Sequence, residues 1–438
     1  MKIWRKMIAG LAIVALIAGC ASSGGGNSNK SGIRDQQVAP DEFENFVRSR
    51  PESFHPYYET VLQQGERNAV LNFLRLGLEL LKYGEFDHAA DAFDEALLRI
   101  NTIYADNEQA RKARSKFTAE YVKDFKGDPY ERAMAYFYRG LIFLEQDDYE
   151  NARAAMLGGL EQDAMAEEDD YAKDFGLLYF LAGWASQCEG DRDFADELYD
   201  QAELLNSGLR RPHPDANLLY LAFVNSGPVK RRAGEHNEML YYERSWPNGR
   251  SETTRDQSIT LISRGRPVDL MPGEDIFFQA ATRGGRAVDV INAGKAEFKE
   301  STEAASNFLT SAGVATMAAS YLGNNSNSNM AGIGAGLTLL GAVSRIASDQ
   351  TKPEADIRFW DNLPEFIYVA TAIKQPDDEF LGTEDLRITL FDAEGTSVDG
   401  RVDTAPHVYY NLVRRDPSCD WIGIEPYKRP LPSAHINR

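Results

Sequence analysis

The chain has 438 residues, of which 43% are hydrophobic and 26% charged, and its formal net charge at pH 7 is −20. This acidic balance argues against a nucleic-acid-binding protein, which needs a basic stripe, and against a protein that lies flat on an anionic bilayer. Acid-dense stretches such as 167–170 and 191–200 are typical of solvated helix faces, with a groove for a basic partner segment as the alternative interpretation.

Residues 1–19 have the features of an export signal. Three basic residues precede a short apolar stretch at 7–17, which is too short to span a bilayer as a mature helix. The stretch ends in Leu-Ile-Ala-Gly-Cys20, which resembles a bacterial lipobox. Cleavage before Cys20 would leave it as the lipid-bearing N-terminus, and the alanine that follows favours the outer membrane, on its periplasmic side. An ordinary secretory signal with a chance cysteine is the alternative.

A flexible tether follows the lipobox and spans residues 20–40. It is rich in serine, glycine and asparagine, a composition that resists folding and holds an attached domain away from the membrane. We place a helical domain at 41–208 behind it, with its first helices near 42–48 and 57–64.

Three units with one spacing occupy residues 71–206. In each unit a glycine, which lets two helices cross closely because it has no Cβ, is followed twelve residues later by an alanine. Further small and aromatic residues recur on one face of the second helix at spacings of three and four. The pattern resembles the tetratricopeptide repeat. The predicted packing positions are Gly77, Ala89, Phe93, Ala96, Gly140, Ala152, Gly183, Ala195, Tyr199 and Ala202.

The units are separated by insertions at 101–129 and 161–170, and residues 107–125 are spaced as an extra helix would be. We interpret the apolar positions of the repeats as helix–helix core. By analogy with other solenoids, a partner peptide would bind in the concave groove between the stacked pairs.

After residue 208 the sequence pattern changes to one that is typical of a β-rich domain, which we place at 209–430. The breaker cluster Arg-Arg-Pro-His-Pro at 210–214 marks the boundary. The charged stretch 227–256 is predicted to be a surface excursion. Short apolar or alternating runs predict strands at 218–224, 258–263, 275–281, 366–373, 386–391 and 407–413.

An Ala/Gly-rich helical hairpin is predicted at 303–348, inserted between these strands. Its arms, at 307–322 and 330–347, are joined by an Asn/Ser-rich turn, and the second arm has the small-xxx-small spacing of closely packed helices. Packing within the domain or between subunits is one interpretation, and contact with a membrane is another. A phosphate-binding glycine loop is disfavoured because no strand precedes the glycines.

An Asp-x-Arg-x-Trp-x-x-Leu-Pro motif follows the hairpin and comprises Asp356, Arg358, Trp360, Leu363 and Pro364. The guanidinium of Arg358 can clamp a carboxylate through two parallel hydrogen bonds, and Asp356 would face the same side of an extended segment. The indole of Trp360 can bury a large apolar area at the sheet edge. We interpret the motif as a corner that fixes the next strand, with a ligand or partner site as the alternative.

Together with the repeats and the Ala/Gly-rich segment, this motif resembles an uncharacterised family of tetratricopeptide-repeat lipoproteins of Gram-negative cell envelopes. The resemblance covers most of residues 70–395 and includes Gly-Pro-Val-Lys at 227–230. It implies a role in cell-envelope assembly and no assigned reaction. The Asn/Ser-rich hairpin turn departs from the family, so membrane insertion cannot be taken from the resemblance.

Two cysteines, Cys188 and Cys419, remain after Cys20. In an oxidising periplasm they could form a disulfide, which would tie the C-terminal tail to the repeats. Burial of Cys188 as a small apolar side chain is the interpretation that the sequence favours. Neither cysteine has a histidine nearby that would suggest an activated nucleophile.

Motifs for catalysis are not apparent in the sequence. No two of the six histidines have a metal-ligand spacing, and no nucleophile elbow or phosphate-binding loop stands in a matching context. A glycosidase needs two carboxylates placed together in space, which a sequence cannot show. We therefore expect no catalytic residues, no metal and no cofactor.

These observations predict an α+β protein with an N-terminal tetratricopeptide-like solenoid and a smaller β-rich domain. The expected function is that of an outer-membrane-anchored periplasmic scaffold without enzymatic activity, acting in envelope assembly or export. Its expected partners are envelope proteins or their peptide segments, the membrane through the lipid anchor, and a second copy of the chain, but not nucleic acid. A membrane-active export component that inserts residues 307–347 and a peptidoglycan- or glycan-acting hydrolase are the alternatives.

Overall fold

A computed structural model describes most of the chain from residue 35 to residue 282 and shorter segments after it. In these regions helices dominate the first half of the chain, and strands dominate the second half. The helices are α1 (Pro40–Val47), α2 (His55–Gln64), α3 (Ala69–Lys82), α4 (Phe86–Ala105), α5 (Pro129–Glu145), α6 (Tyr149–Asp163), α7 (Gly176–Glu189), α8 (Arg192–Leu205) and α9 (Ile276–Ala281). The described residues are 35–105, 124–163, 174–233, 239–245, 258–282, 355–375, 385–391, 406–409, 413–414 and 419–426.

Several expectations lie outside these residues. They are the export signal, Cys20, the tether as far as residue 34, most of the extra helix at 107–125, and the hairpin at 303–348. The structure therefore neither supports nor contradicts them.

The helices pack as three successive pairs, α3 with α4, α5 with α6, and α7 with α8. Each glycine of the repeat lies against the large side chain sixteen residues later: Gly77 against Phe93, Gly140 against Met156, and Gly183 against Tyr199. A Cβ at residue 183 would lie 2.8 Å from the Tyr199 ring. The absence of a Cβ at these glycines therefore lets the helices of each pair approach closely, and the limit is strictest at Gly183.

The strands of the described residues form three sheets. A five-stranded sheet has the order β6-β7-β1-β10-β9, a three-stranded sheet the order β5-β4-β8, and β2 and β3 form a hairpin. All pairs are antiparallel except β1 with β10, which is parallel. The strands are β1 (Leu218–Val224), β2 (Val229–Ala233), β3 (Met239–Glu243), β4 (Ser258–Ser263), β5 (Arg266–Val268), β6 (Met271–Asp275), β7 (Phe366–Ala372), β8 (Leu386–Phe391), β9 (His407–Val408) and β10 (Asp420–Glu425).

The five-stranded sheet is the middle of three layers, because strand β1 is buried along its whole length. Its odd-numbered residues, such as Leu219 and Phe223, join the core formed with the helices. Its even-numbered residues, such as Leu218 and Tyr220, join a second core with strands β4 and β8 of the three-stranded sheet. A strand buried on both faces needs a continuous apolar run, and Leu-Leu-Tyr-Leu-Ala-Phe-Val is one.

The first helix of each pair is enclosed between its partner helix and the chain's own strands. Helix α3 is buried over nearly its whole length. On helix α5, the rings of Phe137 and Tyr138 contact Phe223 of strand β1, with centroids 6.4 and 6.1 Å apart. At the start of helix α4, Phe86 contacts Trp421 of strand β10. The sheet therefore covers part of the helical surface.

The described residues from Asp35 onward belong to one compact unit, and helices and sheet share one hydrophobic cluster. The expected boundary near residue 209 separates helices from strands but does not separate two cores. At this junction the side-chain amide of Asn206 donates to the carbonyls of Pro272 and Gly273 at 2.9 Å each.

One prediction for the second half was wrong. The segment predicted as a strand at 275–281 is helix α9, which begins at its N-cap Asp275; the Asp275 carboxylate accepts the N–H of Phe278 at 3.1 Å. A short apolar run does not distinguish strand from helix, and the capping aspartate decides it. The stretch 227–256, predicted as a surface excursion, contains the hairpin of β2 and β3 among its described residues. Lys230 of this hairpin is buried, and Tyr241 is 43% exposed. A strand was also predicted at 407–413. In the described part of that range, the strand comprises His407–Val408.

No helix at the described positions is both long and apolar enough to cross a membrane.

Candidate functional site

The Asp-x-Arg motif forms a clamp against the helices. The Nε of Arg358 lies 3.0 Å from both carboxylate oxygens of Asp356, and an Nη lies 2.6 Å from one of them. The other Nη donates to the carbonyl of Arg67 at 3.1 Å and to the side chain of Asn68 at 2.7 Å. Because Asn68 immediately precedes helix α3, the pair fixes the segment before strand β7 to the start of the first repeat. This geometry is that of a structural corner.

The rest of the motif is buried in the shared core. The Trp360 ring packs against the rings of Phe93 and Tyr138, with centroids 6.2 and 5.8 Å away. Leu363 and Pro364 are also buried, and the carbonyl of Leu363 accepts the N–H of Gly227 at 2.7 Å. Asp356, Arg358 and Trp360 therefore fix the segment before strand β7 to the helices, and none of the five motif residues lines the cavity described below.

A buried charged cluster lies at the start of helix α5. Asp128 accepts hydrogen bonds from the ammonium of Lys230 at 2.7 Å and from the hydroxyl of Tyr242. Glu131 accepts the backbone N–H of Asp128 and that of Trp360, each at 2.6 Å. Burial raises the pKa of Glu131 to about 7, and the nearby charge of Lys230 opposes the rise. The cluster is closed to solvent, so it acts as an internal brace between helix α5, the β2–β3 hairpin and the motif.

Cys188 and Cys419 form a disulfide, with Cα atoms 5.8 Å apart. Cys188 lies in the last turn of helix α7, and Cys419 precedes strand β10. The N–H of Cys419 also donates to the hydroxyl of Tyr149 at 3.0 Å. The sequence favoured burial of Cys188 as a small apolar residue, and this interpretation was wrong, because the adjacency of the two elements arises only from the tertiary fold.

A cavity of about 270 Å³ opens where the start of helix α7, the end of helix α8, strands β6 and β7, and helix α9 meet. It is the candidate binding site among the described residues. The chemistry-bearing side chains that line it are three carboxyl groups and three aromatic rings, from Asp174, Glu274, Asp275, Phe278, Phe366 and Tyr368.

The carboxyl groups of the cavity have different surroundings. Glu274 accepts the side-chain amide of Gln279 at 2.9 Å and the backbone N–H of Leu177 at 3.4 Å. Burial raises the pKa of Glu274 to about 8, and the charges of Asp174 and Asp163 add to the rise. At neutral pH Glu274 is therefore mostly protonated.

Asp275 is held by two interactions. Arg244 lies 3.1 Å from its carboxylate, and the other carboxylate oxygen caps helix α9. A cleft with several carboxyl groups is the arrangement that the hydrolase alternative requires. Here Glu274 and Asp275 are each engaged by donors of the fold itself.

Sequence reasoning missed Glu131, Lys230 and Glu274. One signal was available for Glu131: in Asp128-Pro-Tyr-Glu131 the glutamate stands three residues after a capping residue, with proline at the first helical position. Lys230 and Glu274 have no comparable local signal. Within the described residues, no group of three or more His, Cys, Asp or Glu side chains is arranged to hold a metal ion.

Comparison of this chain with protein-family models, with curated proteins and with solved structures found no match. The resemblance to tetratricopeptide-repeat envelope lipoproteins therefore rests on the quoted residues alone and is a proposal.

Proposed function

We propose that the protein is an exported, lipid-anchored scaffold of a Gram-negative cell envelope, held by Cys20 at the periplasmic side of the outer membrane. The observation that carries this proposal is the disulfide between Cys188 and Cys419. Disulfides persist in oxidising compartments such as the periplasm and are rare in the cytosol. The bond therefore agrees with the export signal and the lipobox-like Leu-Ile-Ala-Gly-Cys20.

The three helix pairs, which we assign to a tetratricopeptide-like array, would serve as a rigid support for the sheet. Support for this comes from the aromatic contacts between helix α5 and strand β1 and from the clamp of Arg358 on the start of helix α3. Because the strands cover the first helices, partner proteins would bind on the outside of the combined body. The protein would act by holding partners together without catalysing a reaction.

The anchor is tested by expressing the full-length chain and its Cys20→Ser variant in a Gram-negative host with labelled palmitate. We expect label in the wild-type protein only, and outer-membrane fractionation of the wild-type protein only. On non-reducing gels the chain should migrate faster than after reduction, because an internal crosslink keeps the denatured chain compact. Unlabelled wild-type protein, or free thiols at both Cys188 and Cys419 in the cell, would contradict the proposal.

The scaffold role is tested by crosslinking the wild-type lipoprotein in its own envelope and purifying it in mild detergent. The Cys20→Ser variant, which keeps the fold but not the anchor, is the matched control. A defined envelope protein recovered with the anchored form supports the proposal. Turnover of peptidoglycan by the purified protein would overturn the non-enzymatic assignment.

A further inference from the structure

We propose that Cys188 is the thiol at which a disulfide-bearing partner protein oxidises the folded chain, and that Cys419 then completes the bond from a buried position. Both cysteines are held in place by contacts that do not depend on the bond itself. This inference rests on the proposed export of the protein, because disulfides form in oxidising compartments.

The first observation is a frame of hydrogen bonds around the two cysteines. The side-chain amide of Gln187, beside Cys188, donates at 3.1 Å to the first carbonyl of the segment 216–217. The backbone N–H of Asp420, beside Cys419, donates at 3.0 Å to the second carbonyl of that segment. One short stretch of backbone therefore holds the neighbours of both cysteines.

Further contacts fix the start of strand β10. The N–H of Cys419 donates to the hydroxyl of Tyr149 at 3.0 Å, and the carboxylate of Asp420 pairs with Lys374 and Arg414 at 2.8 Å each. Strand β10 also pairs in parallel with strand β1. None of these contacts involves a sulfur atom, so the reduced chain keeps the two Cα atoms near the 5.8 Å separation of the bonded form, which a disulfide can span.

The second observation is that the two cysteines differ in access. Cys188 is partly buried in the last turn of helix α7 and directly precedes Glu189 and Gly190, which are exposed. Apart from its chain neighbours, no heavy atom of the described residues lies within 4 Å of a Cβ built at Gly190. Cys419 is 6% exposed and precedes strand β10, of which every residue is buried. A partner protein can therefore reach Cys188 but not Cys419, and exchange requires access to the attacking thiol.

The reaction has the balance of thiol–disulfide exchange. The thiolate of Cys188 attacks one sulfur of the partner's disulfide, which breaks that bond and releases the partner's other sulfur as a thiolate. The thiolate of Cys419 then attacks the sulfur of Cys188, and the partner's first sulfur leaves as a second thiolate. The two cysteines lose two electrons, the partner's disulfide gains them, and the two thiol protons pass to the partner's thiolates.

The test measures how fast oxidised glutathione, a small disulfide probe, modifies each cysteine in the folded protein. The full chain carries Cys20→Ser and is studied in mild detergent, so the outcome does not depend on lipidation. Intact mass spectrometry follows glutathione on Cys188 in the Cys419→Ser variant and on Cys419 in the Cys188→Ser variant. We expect Cys188 to react at least about tenfold faster in the folded chain, because burial limits exchange at Cys419, and the two rates to become similar in urea.

A further variant tests the hydrogen-bond frame. Gln187→Ala removes the contact with the segment 216–217 and should lower several-fold the equilibrium constant for pairing of the two thiols against glutathione. Gln201→Ala, at an exposed position of helix α8, is the matched control and should leave that constant unchanged. Circular dichroism of the reduced variants shows whether they fold. If Gln187→Ala does not fold, the rates at the two single cysteines decide the question.

A rate at Cys419 that equals or exceeds the rate at Cys188 in the folded chain overturns the proposal. An unchanged pairing constant in a folded Gln187→Ala variant overturns it as well. These outcomes are separable from failure of the proposed function. Palmitate labelling of Cys20 together with equal rates rejects the exchange site and leaves the anchored scaffold standing. Faster reaction of Cys188 in a chain that is never lipidated in the cell rejects the anchored scaffold and leaves the exchange site.

Discussion

The backbone N–H of Trp360 donates a 2.6 Å hydrogen bond to Oε1 of Glu131, a residue 229 positions earlier in the chain. The other oxygen of the same carboxyl accepts the N–H of Asp128, also at 2.6 Å. Glu131 is fully buried, so both of these N–H groups depend on it. One side chain thereby caps the start of helix α5 and anchors the segment that leads into strand β7.

This relationship predicts that Glu131→Gln destabilises the protein. The amide NH₂ of glutamine would oppose one of the two backbone N–H groups, and a buried donor without an acceptor costs about 1–3 kcal/mol. The free energy of unfolding from urea titration should fall by that amount. Glu95→Gln, at a side chain that is 49% exposed and paired with Arg99, is the control and should cost less than about 1 kcal/mol. Equal effects of the two substitutions would refute the anchoring role.

The disulfide predicts that the free energy of unfolding is much larger for the oxidised protein than for the reduced protein. It closes a loop with a sequence separation of 231 residues, and constraining the unfolded chain over such a loop stabilises a protein by about 2–5 kcal/mol. The double variant Cys188→Ala/Cys419→Ala and the reduced wild-type protein should lose similar amounts of free energy of unfolding in denaturant titrations. If neither treatment moves the unfolding midpoint, the crosslink does not form in the folded protein.

The repeat glycines should differ in their tolerance of alanine. At Gly183 the new Cβ would lie within 2.9 Å of the rigid Tyr199 ring and 3.2 Å from the carbonyl of Ala195, so Gly183→Ala should cost about 1–3 kcal/mol. At Gly140 the nearest atom is the flexible end of Met156, which can rotate away. Alanine also gains about 0.8–1 kcal/mol of helix propensity, so Gly140→Ala should cost less. Denaturation midpoints that rank the two variants in the opposite order would contradict this account.

The raised pKa of Glu274 predicts that the free energy of unfolding falls as the pH rises. Its pKa is about 8 in the folded protein, against 4.5 for the ordinary carboxyl group. Between these values the folded state keeps a proton that the unfolded chain has lost, so raising the pH lowers the free energy of unfolding until both states are ionised above pH 8.

The measurement for Glu274 is the unfolding free energy at pH 5.5 and pH 8. Glu274→Gln should reduce the fall between these two values, because the difference of up to one bound proton is removed. Glu197→Gln, at an exposed position of helix α8, is the control and should keep the wild-type slope. A slope that Glu274→Gln leaves unchanged would show that other groups produce the pH dependence.

A chain that ends after Asn206 should not fold as the full chain does. Such a chain lacks strands β1 and β10, and the rings that pack on them, including Phe137, Tyr138 and Phe86, would face solvent. We expect association on gel filtration and loss of the near-ultraviolet circular dichroism of the aromatic side chains. A monomeric fragment with a cooperative unfolding transition would instead establish an independent helical domain.

Much of the local structure could be predicted from the sequence. The predicted bounds 218–224, 258–263 and 386–391 coincide with β1, β4 and β8, because each is a short run rich in apolar and β-branched residues between breakers. The helices near 42–48 and 57–64 were also anticipated. The strand predicted at 275–281 was wrong because its helical N-cap at Asp275 was not recognised.

The candidate cavity could not be predicted in the same way. Its carboxyl groups come from the start of one helix and from a strand edge about a hundred residues later in the chain. In the sequence, Asp174 and Glu274 are ordinary members of an acidic composition. Only their placement around one cavity, with Phe278 and Tyr368, distinguishes them from solvated surface charge.

By itself the sequence determined the α+β class, the spacing of the three helix pairs and the apolar runs that became the central strands, because these properties depend on residues a few positions apart. Tertiary structure alone decided that the strands cover the first helices, that Glu131 accepts the N–H of Trp360, and that Cys188 meets Cys419. Contacts between residues more than two hundred positions apart depend on how the layers pack. Local sequence periodicity shows that a face is apolar, but it does not show which other face packs against it.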